Sequence, residues 1–133
     1  MTSGMTVSMI CKRQPTTSQS TTEAELIAGS MVAREAVGLL NLLSQVFHVD
    51  SKKCKLALLG DNQASISLVG GQSNVRRVRH LSLAQMYLRE LCRDDKRVTA
   101  RWVDGHENPA DMMTKVLQGE IFKTHLTTAG FRS

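Results

Sequence analysis

The stretch that most constrains the fold is Lys55 to Ile66, KLALLGDNQASI. Its apolar run, Leu56-Ala57-Leu58-Leu59, stops at Gly60, and an acid, Asp61, comes at once after it. A continuous run of this length suits a strand buried on both faces, although periodicity alone does not separate such a strand from a buried helix. The next segment, Asn62 to Val69, reads as a short helix. In open α/β sheets, ligands bind outside the carboxyl ends of the strands, so an acid at the end of this run is a candidate for chemistry.

The chain has 133 residues, enough for one core and too few for two ordinary domains, so residues 1–133 are expected to form a single domain. A hydrophobic content of 41% with 22% charged residues is that of a globular protein and excludes wholesale disorder. The formal charge of +5 and a pI near 9.5 favour a polyanionic partner without proving one. Aromatics make up only 4%, so a nucleic-acid surface would rely on charge and hydrogen bonding more than on rows of stacked rings. Cys11, Cys54 and Cys92 are too scattered for a disulfide framework and form no C-x-x-C pair, which fits a reducing compartment. No stretch is read as the roughly 20 apolar residues of a membrane span, and the polar start, Thr2-Ser3-Gly4, lacks a signal-peptide core, so no membrane partner is expected.

Taken in order, Met5 to Cys11 alternates and reads as a short strand, and the polar run Gln14 to Ser20 as a loop. Ser20-Thr21-Thr22-Glu23 has the spacing of a capping box, and a helix is expected from there to about Val46. One stripe of this helix runs Glu25, Gly29, Val32, Ala36, Leu39, Leu43, which would set Glu25 at the inner edge of a buried face and leave Glu23 as a cap. Gly70-Gly71 ends the helix after Asp61. A basic cluster, Asn74 to His80, then leads into another helix reaching about Arg93, with Leu81, Ala84, Leu88, Leu91 and Cys92 on its apolar side and Gln85, Arg89, Glu90 and Arg93 toward solvent. Arg97 to Val103 alternates as a strand with one face more buried. After a loop at 104–107, Asn108-Pro109 carries the N-cap and first-turn residues of a helix whose first turn holds Asp111, where free N–H groups and the helix dipole favour a carboxylate. Residues 119–133 are read as one more short helix.

Glu25, Asp61 and Asp111 each lie at the end of an element, and a strand-helix-strand-helix layout would carry all three to one sheet edge. Converging carboxylates need a cation, and hard oxygen ligands in basic surroundings suit Mg²⁺ or Mn²⁺ and phosphate chemistry. Two such ions about 4 Å apart activate a water and stabilise the leaving oxygen in phosphodiester cleavage. The same spacing also admits a helix-cap acid and two loop acids on an ordinary surface.

In order along the chain, TEAELIAGS (Thr22 to Ser30), GDNQASISL (Gly60 to Leu68), the Arg79-His80 pair and WVDGHENPADMMTKVL (Trp102 to Leu117) resemble the ribonuclease H region of copia-type LTR-retrotransposon Pol polyproteins. The resemblance runs from about Ile10 to Phe122 and implies a ribonuclease H-like α/β fold, a mixed sheet flanked by helices. It implies that Glu25, Asp61 and Asp111 are metal ligands for Mg²⁺ or Mn²⁺ and that His106 stands where a loop histidine assists turnover. It also implies that Arg79 and His80, with Arg76 and Arg77 beside them, contact the nucleic-acid backbone. Read from the residues alone, His106 is equally an exposed loop histidine and the basic cluster a solvated helix start.

No acid precedes Glu23, whereas the family begins with a strand carrying a first metal-binding aspartate and a hairpin partner. The expected fold therefore lacks two strands, one of them central, which would leave Leu56 and Leu58 under-covered and favour self-association through open sheet edges. Two functions remain open at this point. One is a metal-dependent nuclease cleaving the RNA of RNA–DNA hybrids beside the reverse transcriptase region of the polyprotein, in a cytoplasmic virus-like particle, weak or inactive as this chain. The other is a decayed, non-catalytic module that binds nucleic acid or protein. An integrase-type core is disfavoured because the acids come in the order Glu, Asp, Asp.

Overall fold

In the computed structural model, the described residues are 6–12, 21–70, 83–93, 95–113 and 115–131. Their elements are α1 (Thr21–Val46), β1 (Leu56–Gly60), α2 (Gln63–Gly70), α3 (Leu83–Arg93), β2 (Val98–Trp102) and α4 (Gly119–Thr128), with 3-10 turns at Ser51–Lys53, Gly105–Glu107 and Pro109–Met113. They group into two compact units, one formed by residues 16–102 and the other by the segments 1–15 and 103–133.

The larger unit is built around two strands. β1 and β2 run parallel, in register from Leu56 opposite Val98 to Gly60 opposite Trp102. Parallel neighbours need a crossover, and α2 and α3 lie in the connection between them. Alternation then sorts the side chains. Leu56, Leu58, Val98 and Ala100 face the helices and join a core of Leu26, Ala33, Val69, Leu88 and Leu91. Ala57, Leu59, Thr99 and Arg101 point the other way and are exposed, so among the described residues only one face of the sheet is covered. The expectation of a strand buried on both faces is corrected by this arrangement, as is the expectation that Leu56 and Leu58 would be the under-covered residues. Leu59, 48% exposed, takes that place.

Helix α1 forms over the predicted range, but its buried stripe is offset by one residue from the expected one. Leu26, Ser30 and Ala33 are buried, while Glu25 and Val32 are exposed and Glu23 is half-buried. Two side chains explain the offset. Ser30 is tolerated inside because its hydroxyl donates back to Ile27 O at 2.8 Å, satisfying the polar group within the helix. Gly29, lacking a side chain, lets α1 approach Leu88 and Leu58 closely, so the stripe containing Glu25 touches the core only there. Arg34 stacks over the Tyr87 ring at 5.0 Å, tying α1 to α3. By length and composition α1 also passes as a membrane span, which the reading of the sequence did not find. Its contacts with α3 and β1, and the adjacent charges of Arg34 and Glu35, are equally those of a core helix. The capping-box serine, Ser20, lies outside the described residues.

Helix α3 buries Leu88 and Leu91 as its pattern predicts, and also Gln85, which was expected to face solvent. Gln85 Nε2 and Arg89 Nε both donate to Leu68 O, at 3.3 and 2.8 Å. That carbonyl belongs to the last turn of α2, where helices leave acceptors unpaired. The two polar side chains are drawn inward to satisfy it.

The smaller unit has no predicted strand at its start. Thr6 to Cys11 forms no regular secondary structure. Thr6 donates from both its backbone N–H and its hydroxyl to Ala129 O, and Cys11 Sγ lies 3.8 Å from Met113 O. Alternation in Met5 to Cys11 therefore fails as a strand signal, because among the described residues no strand is available to it within this unit. Asn108 caps as expected, accepting from Ala110 N at 3.2 Å, but the cap opens a five-residue 3-10 turn and not an α-helix. α4 does form, and it lies against that turn. The class is α/β with a parallel strand pair, consistent with part of a ribonuclease H-like fold.

Candidate active site

Asp61 lies directly after β1 and is half-buried. The next residues explain why the chain turns there. Asn62 Oδ1 accepts from Ser65 N at 3.1 Å, an N-cap bond, and the Ser65 hydroxyl returns to Asn62 O at 2.8 Å. The D-N-Q-A-S block is thus a strand end, a cap and a first helical turn in five residues. A carboxylate just ahead of a helix start is favoured by the dipole. Beneath it, Gly60 is required for room, since a side chain there would meet Ile66 Cδ1 at 3.3 Å.

Across the strand pair, Trp102 ends β2 opposite Gly60, and its indole Nε1 donates to Asp61 O at 3.0 Å. This bond fixes the turn that presents Asp61. Glu25, in the same unit, is exposed one helical turn before Gly29, whose open side faces Leu58.

Asp111 belongs to the smaller unit. It is buried, at 8% exposure, which a carboxylate tolerates only with a partner. Lys115 supplies one, with Nζ 2.7 Å from Asp111 Oδ2 at i,i+4 spacing, and its backbone N–H donates to Asp111 O at 2.8 Å. His106 is exposed in the 3-10 turn before it, where Asp104 Oδ1 accepts from His106 N at 2.9 Å. Arg76, Arg77, Arg79 and His80 lie outside the described residues.

The structure therefore places Glu25 and Asp61 in one unit and Asp111 and His106 in the other. Among the described residues no three His, Cys, Asp or Glu side chains gather closely enough to hold a metal ion. The donor chemistry itself fits Mg²⁺ or Mn²⁺, since all three candidate ligands are carboxylates and hard oxygen donors suit those ions. Cys92 does not compete as a ligand. Burial holds its thiol above the usual range, against a smaller lowering by a hydrogen bond to the Ala100 backbone, so the neutral form is favoured.

Two participants escaped the reading of the sequence. Lys115 was visible as the residue four beyond Asp111, a spacing that pairs charges on one helical face. Trp102 carried no local signal, because only the register of β1 against β2 sets its indole beside Asp61.

An acid presented at the carboxyl end of a parallel strand pair defines an α/β chain with a candidate catalytic edge. Over 131 residues, 98% of its length, this chain is 29% identical to the retrovirus-related Pol polyprotein from transposon TNT 1-94 of Nicotiana tabacum. It spans only 10% of that polyprotein. No family model matches the chain, and no solved structure does.

Proposed function

We propose that the chain is a ribonuclease H-type segment of a transposon Pol polyprotein that engages RNA–DNA hybrids and cleaves the RNA strand. The observation that carries this reading is the position of Asp61, capped into place at the carboxyl end of β1, in a chain similar to a Pol polyprotein over nearly its whole length. Glu25, Asp61 and Asp111 are the oxygen ligands proposed for Mg²⁺ or Mn²⁺, which when bound supplies an activated water and charge stabilisation for the leaving oxygen. His106, exposed next to the Asp111 turn, is free to exchange protons with solvent and is proposed to assist turnover. Arg76, Arg77, Arg79 and His80 are proposed to hold phosphates, and the rest of the polyprotein, with its reverse transcriptase region, is the proposed partner within a cytoplasmic virus-like particle. With no acid before Glu23 to complete a four-carboxylate set, cleavage by this chain alone is expected to be trace.

The test is a hybrid binding and cleavage assay in Mg²⁺ and in Mn²⁺. Salt-sensitive binding of the hybrid with trace cleavage is expected, and the trace should disappear in Asp61→Asn. Absence of binding at low salt would overturn the reading. Robust turnover abolished by Asp61→Asn would instead show that the chain is a complete enzyme.

A further inference from the structure

Trp102 is the chain's single tryptophan and stands 51% exposed, an unusual position for the largest apolar side chain in a protein with so few aromatics. It is not a loosely held surface residue. Its strand register sets it opposite Gly60, which has no side chain to cover it, and the indole N–H is engaged with Asp61 O at 3.0 Å. The ring is thus anchored by its polar edge, while about half of the residue remains open to solvent beside the candidate catalytic acid. The residue before it, Arg101, is exposed as well, so a cation lies next to the ring along β2.

A planar ring held in one orientation, open to solvent, adjacent to an acid and a cation, matches one ligand chemistry well. Nucleobases stack on such rings regardless of sequence, and the neighbouring cation suits the phosphates that link them. We propose that Trp102 is a base-stacking platform that positions a single nucleotide of the bound strand at the Asp61 edge. The inference rests on the proposed nucleic-acid function and adds to it a recognition element that charge alone does not supply. With aromatics this scarce, the platform holds one base and not a row, so it sets the register of a strand more than it sets overall affinity.

Because Trp102 is the sole tryptophan, its own fluorescence reports the contact. The experiment titrates the intact chain with an RNA–DNA hybrid, with a single-stranded RNA and with inorganic polyphosphate, following tryptophan emission together with anisotropy of labelled hybrid or RNA. Quenching by the two nucleic acids but not by polyphosphate is expected. Trp102→Phe should keep most of the affinity, and Trp102→Leu should lose about tenfold for single-stranded RNA. Hybrid binding seen by anisotropy with no quenching, and equal affinity of Trp102→Leu, overturns the platform while leaving the proposed function intact. No binding of any nucleic acid overturns both. A concentration-dependent emission shift without nucleic acid, lost in Trp102→Leu, would assign the ring to self-association and overturn the platform as well. Thermal unfolding of each variant separates loss of the Asp61 anchor from loss of stacking, since Trp102→Phe also lacks the indole N–H.

Discussion

The two units solve the problem of an interior in opposite ways. In the larger unit every member of the core cluster is apolar: Leu26, Ala33, Val69, Leu88, Leu91 and Val98. In the smaller unit the buried residues, among those described, are Asp111, His125 and Ala129. Apolar burial is non-directional and tolerates small errors of position, whereas a buried polar group is stabilising only if each of its bonds is made. The larger unit therefore carries the driving force for folding. The smaller one depends on particular bonds, such as Lys115 to Asp111 and Thr6 to Ala129.

The sharpest way to break this comparison is Leu88→Ala. Leu88 is 1% exposed at the centre of the apolar cluster, and its truncation is expected to cost about 2–5 kcal/mol by chemical denaturation. A loss under about 1 kcal/mol would mean that the cluster is not the principal source of stability. The smaller unit offers the opposite experiment. His125 is 1% exposed, and neither ring nitrogen has a hydrogen-bond partner among the described residues. His125→Leu removes two unsatisfied polar atoms and should raise stability by about 1–3 kcal/mol. Destabilisation instead would show that the imidazole makes interactions on which the unit relies. The smallest effect concerns packing alone. A methyl group at Gly29 would meet Leu88 Cδ1 at 3.6 Å and Leu58 Cδ2 at 3.8 Å, ordinary contact distances. Gly29→Ala should then add about 0.5–1 kcal/mol from helix propensity, read as a rise in melting temperature. A fall would indicate that α1 lies closer to β1 and α3 than these distances allow.

The same contrast explains what was legible in the sequence. Elements that make their own local signals were read correctly: α1 from its Ala- and Leu-rich run, the end of β1 from Gly60-Asp61, and α2 from the cap at Asn62. Misreadings came where a distant partner decides. Gln85 looks like a solvent residue until Leu68 O is placed beside it, and Glu25 looks inward-facing until Gly29 shows how closely α1 meets Leu58 and Leu88. Met5 to Cys11 alternates like a strand, yet Thr6 is held instead by the end of α4. Of the candidate site, Asp61 and the burial of Asp111 were foreseeable from strand-end and first-turn positions. The Trp102 anchor was not, because a register between two strands cannot be read from either strand alone.

One consequence of the register concerns solubility. On the uncovered face of the sheet, Leu59 lies beside Arg101 and Ala57 beside Thr99. Each outward apolar residue of β1 is therefore flanked by a polar one from β2, and the bulkiest of them by a charge. Two such faces cannot stack without burying guanidinium groups, a penalty that works against aggregation as gatekeeper residues do in larger sheets. The strand pair thus carries its own protection against sticking, face to face, to copies of itself.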